Sequence, residues 1–171
     1  MIINRIWAMP SANTFTIKPI RELIERYMED SLIWIDPFAR NSIFNDRCRY
    51  TNDLNMDCDT THHLESLEFL SSFADNSIDG VLFDPPYGPR QISECYQGIG
   101  RVVHKEDTQS SFYGKRKKEI ARIVKGGGIV ISCWWNSGGI GKGLGFEIIE
   151  ILLVPHGGAH NDTIVTVERK R

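Results

Sequence analysis

The sequence predicts an α/β fold in which a largely parallel sheet is covered by helices on both faces. Strand-like runs recur along the chain, near 32–36, 49–54, 81–83, 129–134, 146–154 and 163–168. Segments with helical spacing of apolar residues precede the first run and separate the second, third and fourth. The connection between the first two runs leaves room for only one or two helical turns. Such alternation is typical of a parallel sheet with both faces covered. The last two runs follow one another closely enough to pair antiparallel.

The helices are predicted from apolar residues that recur every three or four positions. They fall near 18–28, 62–73, 91–97 and 115–125. Residues 1–15 show no clear period, and a mobile loop is expected after the third helix. Three glycines, 126–128, are expected to end the last helix. The glycine-rich run 138–143 fits neither phosphate-binding motif and is expected to be a flexible loop.

The composition is that of an ordinary soluble globular domain. The chain has 171 residues, of which 41% are apolar and 25% charged, and this length suits one domain. No apolar run approaches the roughly 20 residues of a membrane span. The chain start lacks the basic-then-apolar order of a signal peptide.

Neither the cysteines nor the histidines predict a metal site. The four cysteines are widely spaced and form no CxxC pair, so they are interpreted as free thiols of a reducing cytoplasm. The adjacent His62 and His63 would point different ways on a helix. His156 and His160 lie in a predicted loop without carboxylate support.

The most informative stretch runs from Val81 to Tyr87. An apolar run ending at Phe83 is typical of a buried parallel strand, and Asp84-Pro85-Pro86-Tyr87 follows directly. The prolines stop the strand and stiffen the turn. Asp84 and the Pro85 carbonyl are two acceptors suited to one amino group, and Tyr87 offers a face for a flat ring. The alternative is an ordinary strand-ending turn with a surface tyrosine.

Asp84-Pro85-Pro86-Tyr87 resembles the signature of S-adenosylmethionine-dependent methyltransferases that act on exocyclic amines of bases, chiefly adenine in DNA. The resemblance implies a Rossmann-like class I methyltransferase sheet over 1–171, mostly parallel with an antiparallel C-terminal strand. It implies methylation of the adenine 6-amino group by these four residues. An RNA methyltransferase acting on adenine or guanine, and a non-catalytic nucleic-acid-binding relative, remain alternatives.

Further segments resemble the cofactor-binding segments of that family. Asp36-Pro37-Phe38 matches the first motif, although Arg40 and Ser42 stand where the family has glycine. Asp53, after the second strand, is placed to hold ribose hydroxyls or is a surface aspartate. The resemblance implies a cofactor site for S-adenosylmethionine made of Phe15, Thr16, Ile17, Asp36, Pro37, Phe38, Asp53, Leu54, Glu65, Ser66 and Asp84.

Positive charge is concentrated in 88–125, which carries nine Lys or Arg against four Asp or Glu. A polyanion would be drawn there, although a solvated basic helix face is an equal alternative. We expect this stretch to be the insertion that contacts target DNA, through Arg90, Lys115, Arg116, Lys117 and Lys118. The chain resembles small phage and prophage enzymes that lack a separate target-recognition domain. Sequence specificity would then come from 88–125, come from a second subunit in a homodimer, or be low.

Overall fold

The computed structural model describes residues 1–100, 111–158 and 160–171, apart from the side chains of Pro89, Gln91 and Cys95. Its helices are α1 (Lys18–Tyr27), α2 (Ser66–Ser71), α3 (Pro89–Gly98) and α4 (Ser111–Ile123). Its strands are β1 (Ile2–Arg5), β2 (Trp34–Asp36), β3 (Tyr50–Thr51), β4 (Ile78–Phe83), β5 (Val124–Trp134), β6 (Phe146–Val154) and β7 (Thr163–Lys170). Within these ranges, no helix is long and apolar enough to cross a membrane.

The described strands form one sheet in the order β1-β6-β7-β5-β4-β2-β3. All neighbours are parallel except β7, which runs antiparallel to both β5 and β6. The predicted fold class is therefore confirmed, including the antiparallel strand near the C-terminus. The carboxyl ends of β2, β3, β4 and β5 share one edge of the sheet, where open α/β sheets bind ligands.

Each face of the sheet has its own apolar core. Val81 and Phe83 of β4 point to one side and pack with α2 and α4, whereas Leu82 points to the other side, where α1 lies. This alternation follows from the two-residue period of a strand. Both faces are apolar because both are covered by helices, as the sequence predicted.

A tight contact between neighbouring strands fixes the centre of the sheet. Trp34 of β2 pairs with Gly80 of β4, and Ile35 pairs with Val81. The Trp34 indole is buried and lies directly over Gly80, so that a Cβ at this position would overlap the ring carbons. Only glycine lets the two strands keep this register.

The first strand was not predicted from the sequence. All four residues of β1 are exposed, because the strand lies at the sheet edge beside β6. No buried face exists to impose a two-residue period. Instead, Asn4 is held by the buried carboxylate of Glu150, which also accepts hydrogen bonds from Arg26 and Tyr27.

Three helix predictions need correction. Helix α2 covers only 66–71, and α4 begins at Ser111, four residues before the predicted start. The glycines 126–128 lie inside β5 and do not end a helix. Gly127 has φ +82°, and the pairing of β4 with β5 shifts register here, so the glycines form a bulge. Residues 101–110, where most of the mobile loop was expected, lie outside the described residues.

The backbone of the glycine-rich run 138–143 is held by hydrogen bonds to a buried carboxylate. Glu168 of β7 is fully buried and accepts hydrogen bonds from the backbone N–H groups of Ile140 and Gly141, at 2.5 and 2.9 Å. Gly139 has φ +49°, and a Cβ there would overlap the same carboxylate. The run therefore anchors the β5–β6 connection, in contrast to the flexible loop that was predicted.

We predict that Gly80→Ala lowers the free energy of unfolding by about 1–3 kcal/mol, because the new methyl group must displace the Trp34 ring or separate β2 from β4. Gly114→Ala is the matched control. Its Cβ would meet open space on helix α4, so alanine should stabilise the protein by ~0.5–1 kcal/mol. Urea unfolding of both variants measures the difference. If both variants changed the free energy of unfolding equally, or if Gly80→Ala caused no loss, the proposed packing constraint would be contradicted.

Candidate active site

One cavity opens at the carboxyl ends of the central strands. Its volume is about 730 Å³, and both the loop after β2 and the turn after β4 line it. Of the residues predicted from the sequence, Ile17, Pro37, Phe38, Asp53, Leu54, Glu65, Ser66, Asp84, Pro85, Pro86 and Tyr87 line this cavity. The predicted cofactor segments and the predicted catalytic corner therefore meet in one place.

Asp36 ends β2 and is 1% exposed. Its Oδ1 accepts a hydrogen bond of 2.9 Å from the Phe38 backbone N–H. Oδ2 is buried and has no hydrogen-bond partner among the described residues. Burial raises the pKa of Asp36 well above its ordinary value, and the nearby charges of Asp84 and Asp53 add to this rise. Asp36 does not itself line the cavity, whereas the next two residues, Pro37 and Phe38, do. It is a buried carboxylate beside the cavity, and its second oxygen can accept a donor.

The end of β3 is fastened to the loop after β2 by Asn52. This side chain is buried and donates to the carbonyls of Pro37 and Leu64, while its own oxygen accepts from the Leu64 N–H. The next residue, Asp53, lines the cavity, and its Oδ1 accepts from the Asn55 N–H at 2.8 Å. Asn52 therefore fixes the backbone from which Asp53 reaches the cavity.

The corner after β4 is held by two tyrosine hydroxyls. Tyr87 donates to Asp84 Oδ1 at 2.6 Å, and Tyr113 of α4 donates to the Pro86 carbonyl at 2.6 Å. Burial raises the pKa of Asp84, while the hydroxyls of Tyr87 and Thr14 and the charge of Arg40 lower it. The result is a rigid carboxylate whose pKa is above that of an exposed aspartate.

Tyr87 lines the cavity and also packs against two indoles. Its ring centroid lies 5.6 Å from that of Trp134 and 5.5 Å from that of Trp135. Burial, and then the adjacent Asp84 charge, raise the pKa of Tyr87 far above its ordinary value. Tyr87 therefore supports Asp84, and the expectation that its ring faces a substrate stays a prediction.

No protein-family model and no curated protein matches the sequence, but solved structures match its fold. TrmN from Thermus thermophilus superposes with a TM-score of 0.59 at 15% identity, over 91% of this chain and 49% of that one. A Streptococcus mutans protein provisionally named a methyltransferase, solved with SAH, gives 0.55 at 13% identity over 90% and 97%. A Clostridium thermocellum protein provisionally named an rRNA methylase gives 0.56 at 10% identity over 95% and 100%.

The chain has the Rossmann-like methyltransferase fold. It spans about half the length of TrmN and nearly the whole length of the other two proteins. These identities are low, so the similarity concerns the course of the backbone.

In this methyltransferase fold, the loop after β2 contains a departure that the sequence already showed. Arg40, where glycine was expected, has φ +49° and lies in the left-handed region that favours glycine. Its side chain lines the cavity, and its charge lowers the pKa of Asp84. The loop thus keeps the backbone conformation of a glycine position while adding a cation that stabilises the carboxylate.

The N-terminal approach to the cavity differs in detail from the prediction. Phe15 is buried in the core against Phe44, and Thr16 is bonded to Ser11 and to the Asn13 carbonyl. The cavity is lined instead by Thr14 and Ile17. The expected segment is therefore at the site, but only part of it faces the cavity.

Glu65 and Ser66 line the cavity, and both accept hydrogen bonds from a side chain of α4. Buried Arg116 donates to Ser66 Oγ at 2.6 Å and to Glu65 Oε2 at 3.4 Å. Its guanidinium carbon lies 3.3 Å from the centroid of the Phe112 ring. Tyr96 of α3 donates to the other oxygen of Glu65 at 3.0 Å.

This arrangement corrects the prediction that Arg116 contacts phosphates. Arg116 is 5% exposed and is committed to the floor of the cavity. Lys117 is half-buried, and burial lowers its pKa. Lys115, Lys118 and Arg90 are exposed, and Arg90 pairs with Glu94. Of the four consecutive basic residues at 115–118, only Lys115 and Lys118 are therefore exposed.

Sequence reasoning did not single out Tyr96, Phe112 and Trp135, or the role of His156, all of which line the cavity. It noted Arg40 only as a departure from glycine. His156 is buried, with Nδ1 2.9 Å from the Ala8 carbonyl and Nε2 2.9 Å from Thr163 Oγ1. It ties the N-terminal segment to the β6–β7 connection. This role is visible only from the residues that contact His156 in the folded chain, because local sequence patterns do not show such contacts.

We predict that Asp36→Asn raises the stability of the protein at pH 7 by about 1 kcal/mol or more, or a few degrees in the unfolding midpoint. Because the folded-state pKa is raised, ionisation of Asp36 opposes folding once the pH exceeds the unfolded value of about 3.9. The gain should therefore be absent near pH 3 and grow as the pH rises. Thermal unfolding from pH 3 to pH 8 measures it.

Asp46→Asn is the control, because Asp46 is exposed and lies outside the cavity. It should change the midpoint little at any pH. A wild type as stable as Asp36→Asn at pH 7 would show that the Asp36 charge is compensated.

Proposed function

We propose that the chain transfers a methyl group from S-adenosylmethionine to the exocyclic amine of a nucleic-acid base, with the 6-amino group of adenine in DNA as the first candidate. The observation that carries this proposal is that the rigid Asp84-Pro85-Pro86 corner opens into the same cavity as Asp53 and the loop after Asp36. The fold, shared with TrmN and an SAH-bound relative, supports a methyl-transfer reaction.

The described residues fit such a cofactor. The cofactor would supply the methyl group on a sulfonium centre. Asp36 lies next to the cavity-lining Pro37 and Phe38, and its unpartnered Oδ2 would accept from an ammonium group of the cofactor through water. Asp53 is placed to accept from ribose hydroxyls. Phe38 and Leu54 contribute an apolar wall for a purine, continuous with the cluster of Ile92, Tyr96 and Phe112.

Asp84 would make the target amine a better nucleophile. An aromatic amine reacts poorly because its lone pair is delocalised into the ring. Hydrogen bonds from its protons to Asp84 and to the Pro85 carbonyl would favour a tetrahedral nitrogen with a localised lone pair. Each carboxylate oxygen can accept two hydrogen bonds, so the bond from Tyr87 leaves capacity for the amine. Tyr87 also fixes the plane in which the acceptor lies, which reduces reorganisation during reaction.

The target base must leave its stack to reach Asp84, because the corner lies within a cavity that also has to hold the cofactor. Flipping costs a few kcal/mol, and least in a single strand or at a mismatch. Exposed Lys115 and Lys118 on α4 are suited to hold the phosphates of the strand that delivers the base.

RNA is the second candidate substrate. One of the proteins with this fold is provisionally named an rRNA methylase, and the chemistry at Asp84 is the same for a base amine in either polymer. Tritium transfer to matched pools of random DNA and RNA, each offered single-stranded and double-stranded, separates these substrates. Transfer to none of them would exclude the proposed function.

We predict that Asp84→Ala lowers kcat for methyl transfer by about 10²–10³-fold, the cost of removing one preorganised hydrogen-bonding group. Affinity for S-adenosylhomocysteine, measured by calorimetry, should change less than threefold. In the wild type, activity should fall on the acid side at a higher pH than an ordinary aspartate would give. The raised pKa means that the accepting carboxylate is lost earlier as the pH drops.

Asp46→Ala, which removes an exposed carboxylate outside the cavity, should retain wild-type turnover. Near-normal kcat in Asp84→Ala would remove this residue from the reaction.

We predict that the double variant Lys115→Ala, Lys118→Ala weakens binding to all sequences alike. It should flatten the plot of log affinity against log salt by nearly two units on duplex DNA. The control is the double variant Lys18→Ala, Arg21→Ala, which removes the same charge from α1, where both residues pair with glutamates. Its slope should equal that of the wild type. Parallel lines for wild type and the Lys115, Lys118 variant would mean that the strand approaches elsewhere.

A further inference from the structure

Trp135 is an exposed aromatic side chain at the mouth of the cavity. It follows β5 directly, and β5 pairs with β4 up to Phe83, so Trp135 lies beside the Asp84 corner. Its side chain is 45% exposed and lines the same cavity as Asp84. A single exposed indole is ordinary on a protein surface, but this one borders a cavity that contains a rigid carboxylate.

The contacts of Trp135 hold it in place while leaving a face open. Its ring meets that of Tyr87 edge to face, at 5.5 Å between centroids and 78° between planes. Gly88 lies beneath it, since a Cβ on Gly88 would be in van der Waals contact with Cζ3 at 3.9 Å. Tyr87 is itself held by Trp134 and by its hydrogen bond to Asp84. Trp135 is therefore supported by a fixed aromatic group.

Tyr87 and Trp135 are aromatic side chains beside Asp84, and they differ in how much ring surface a base could stack on. Tyr87 packs against two indoles, and its hydroxyl is bonded to the carboxylate that it would have to leave in order to reorient. Trp135 is the more exposed and presents the larger π-surface. Stacking on a ring tolerates any base and needs no further polar group.

We propose that Trp135 is the surface on which the target base stacks when its amine reaches Asp84, and that Tyr87 positions both residues. This assignment rests on the proposed function and adds a base-contacting residue to it. The ligand class is a flat heteroaromatic base, delivered from a nucleic acid, that enters between the indole and the Asp84 corner.

The test compares Trp135→Ala and Trp135→Phe with the wild type on whichever random DNA or RNA pool the wild type methylates. We expect Trp135→Ala to lower kcat/KM for the nucleic acid by about ten- to a hundredfold, and Trp135→Phe to restore it to within about threefold of the wild type. Affinity for S-adenosylhomocysteine and the unfolding midpoint should stay at wild-type values. Trp7→Ala is the control, because Trp7 is 60% exposed and does not line the cavity.

A second measurement does not depend on turnover. An oligonucleotide that carries 2-aminopurine in place of adenine should lose fluorescence on binding to the wild type, through stacking on an indole, and brighten on binding to Trp135→Ala. Trp135→Ala with unchanged kcat/KM and unchanged 2-aminopurine response would overturn the assignment and leave the proposed function standing. Loss of S-adenosylhomocysteine binding or of stability in Trp135→Ala would also overturn it, since the role would then be structural. Absence of transfer by the wild type to any pool overturns both.

Discussion

The register between β2 and β4 is the constraint on which the site depends. Trp34 lies across Gly80, so the two strands can approach only in the register that pairs Ile35 with Val81. Asp36 and Asp84 then leave the same edge of the sheet from adjacent strands. The charge of Asp84 adds to the rise in the pKa of Asp36, because the two carboxylates lie close together. Asn52 adds the end of β3 to this edge through its bonds to the Pro37 and Leu64 backbone.

Two carboxylates held close together and away from water oppose folding, and the structure stabilises their negative charges unequally. Asp84 accepts from Tyr87 and is near Thr14 and Arg40, so its negative charge is partly stabilised. Asp36 accepts from one backbone N–H and has an unpartnered oxygen among the described residues. A buried acceptor without a partner costs about 1–3 kcal/mol. Asp36 directly precedes the cavity-lining Pro37 and Phe38 but does not itself line the cavity, so this cost is carried beside the cavity.

The fold could be predicted to the extent that burial leaves a pattern in the sequence. The central strands were found because both of their faces are apolar, and the Asp84 corner because prolines restrict the backbone wherever they occur. Strand β1 was missed because all four of its residues are exposed and its partner, β6, is nearly 150 residues away. Arg116 was misassigned for a related reason. A run of basic letters does not record that Glu65 and Ser66, about 50 residues earlier, draw one of its members into the interior.

Helix α4 has two sides that serve different neighbours, and this ties the cavity to the surface. On the inner side, Phe112 lines the cavity and Arg116 holds Glu65 and Ser66. On the outer side, Lys115 and Lys118 are exposed within the same two turns. A displacement of α4 would therefore move the exposed cations and the cavity floor together. If a ligand in the cavity and a polyanion on the outer side each bind one position of α4 better than another, each must change the affinity of the other by the same factor, since coupling between two binding sites is reciprocal.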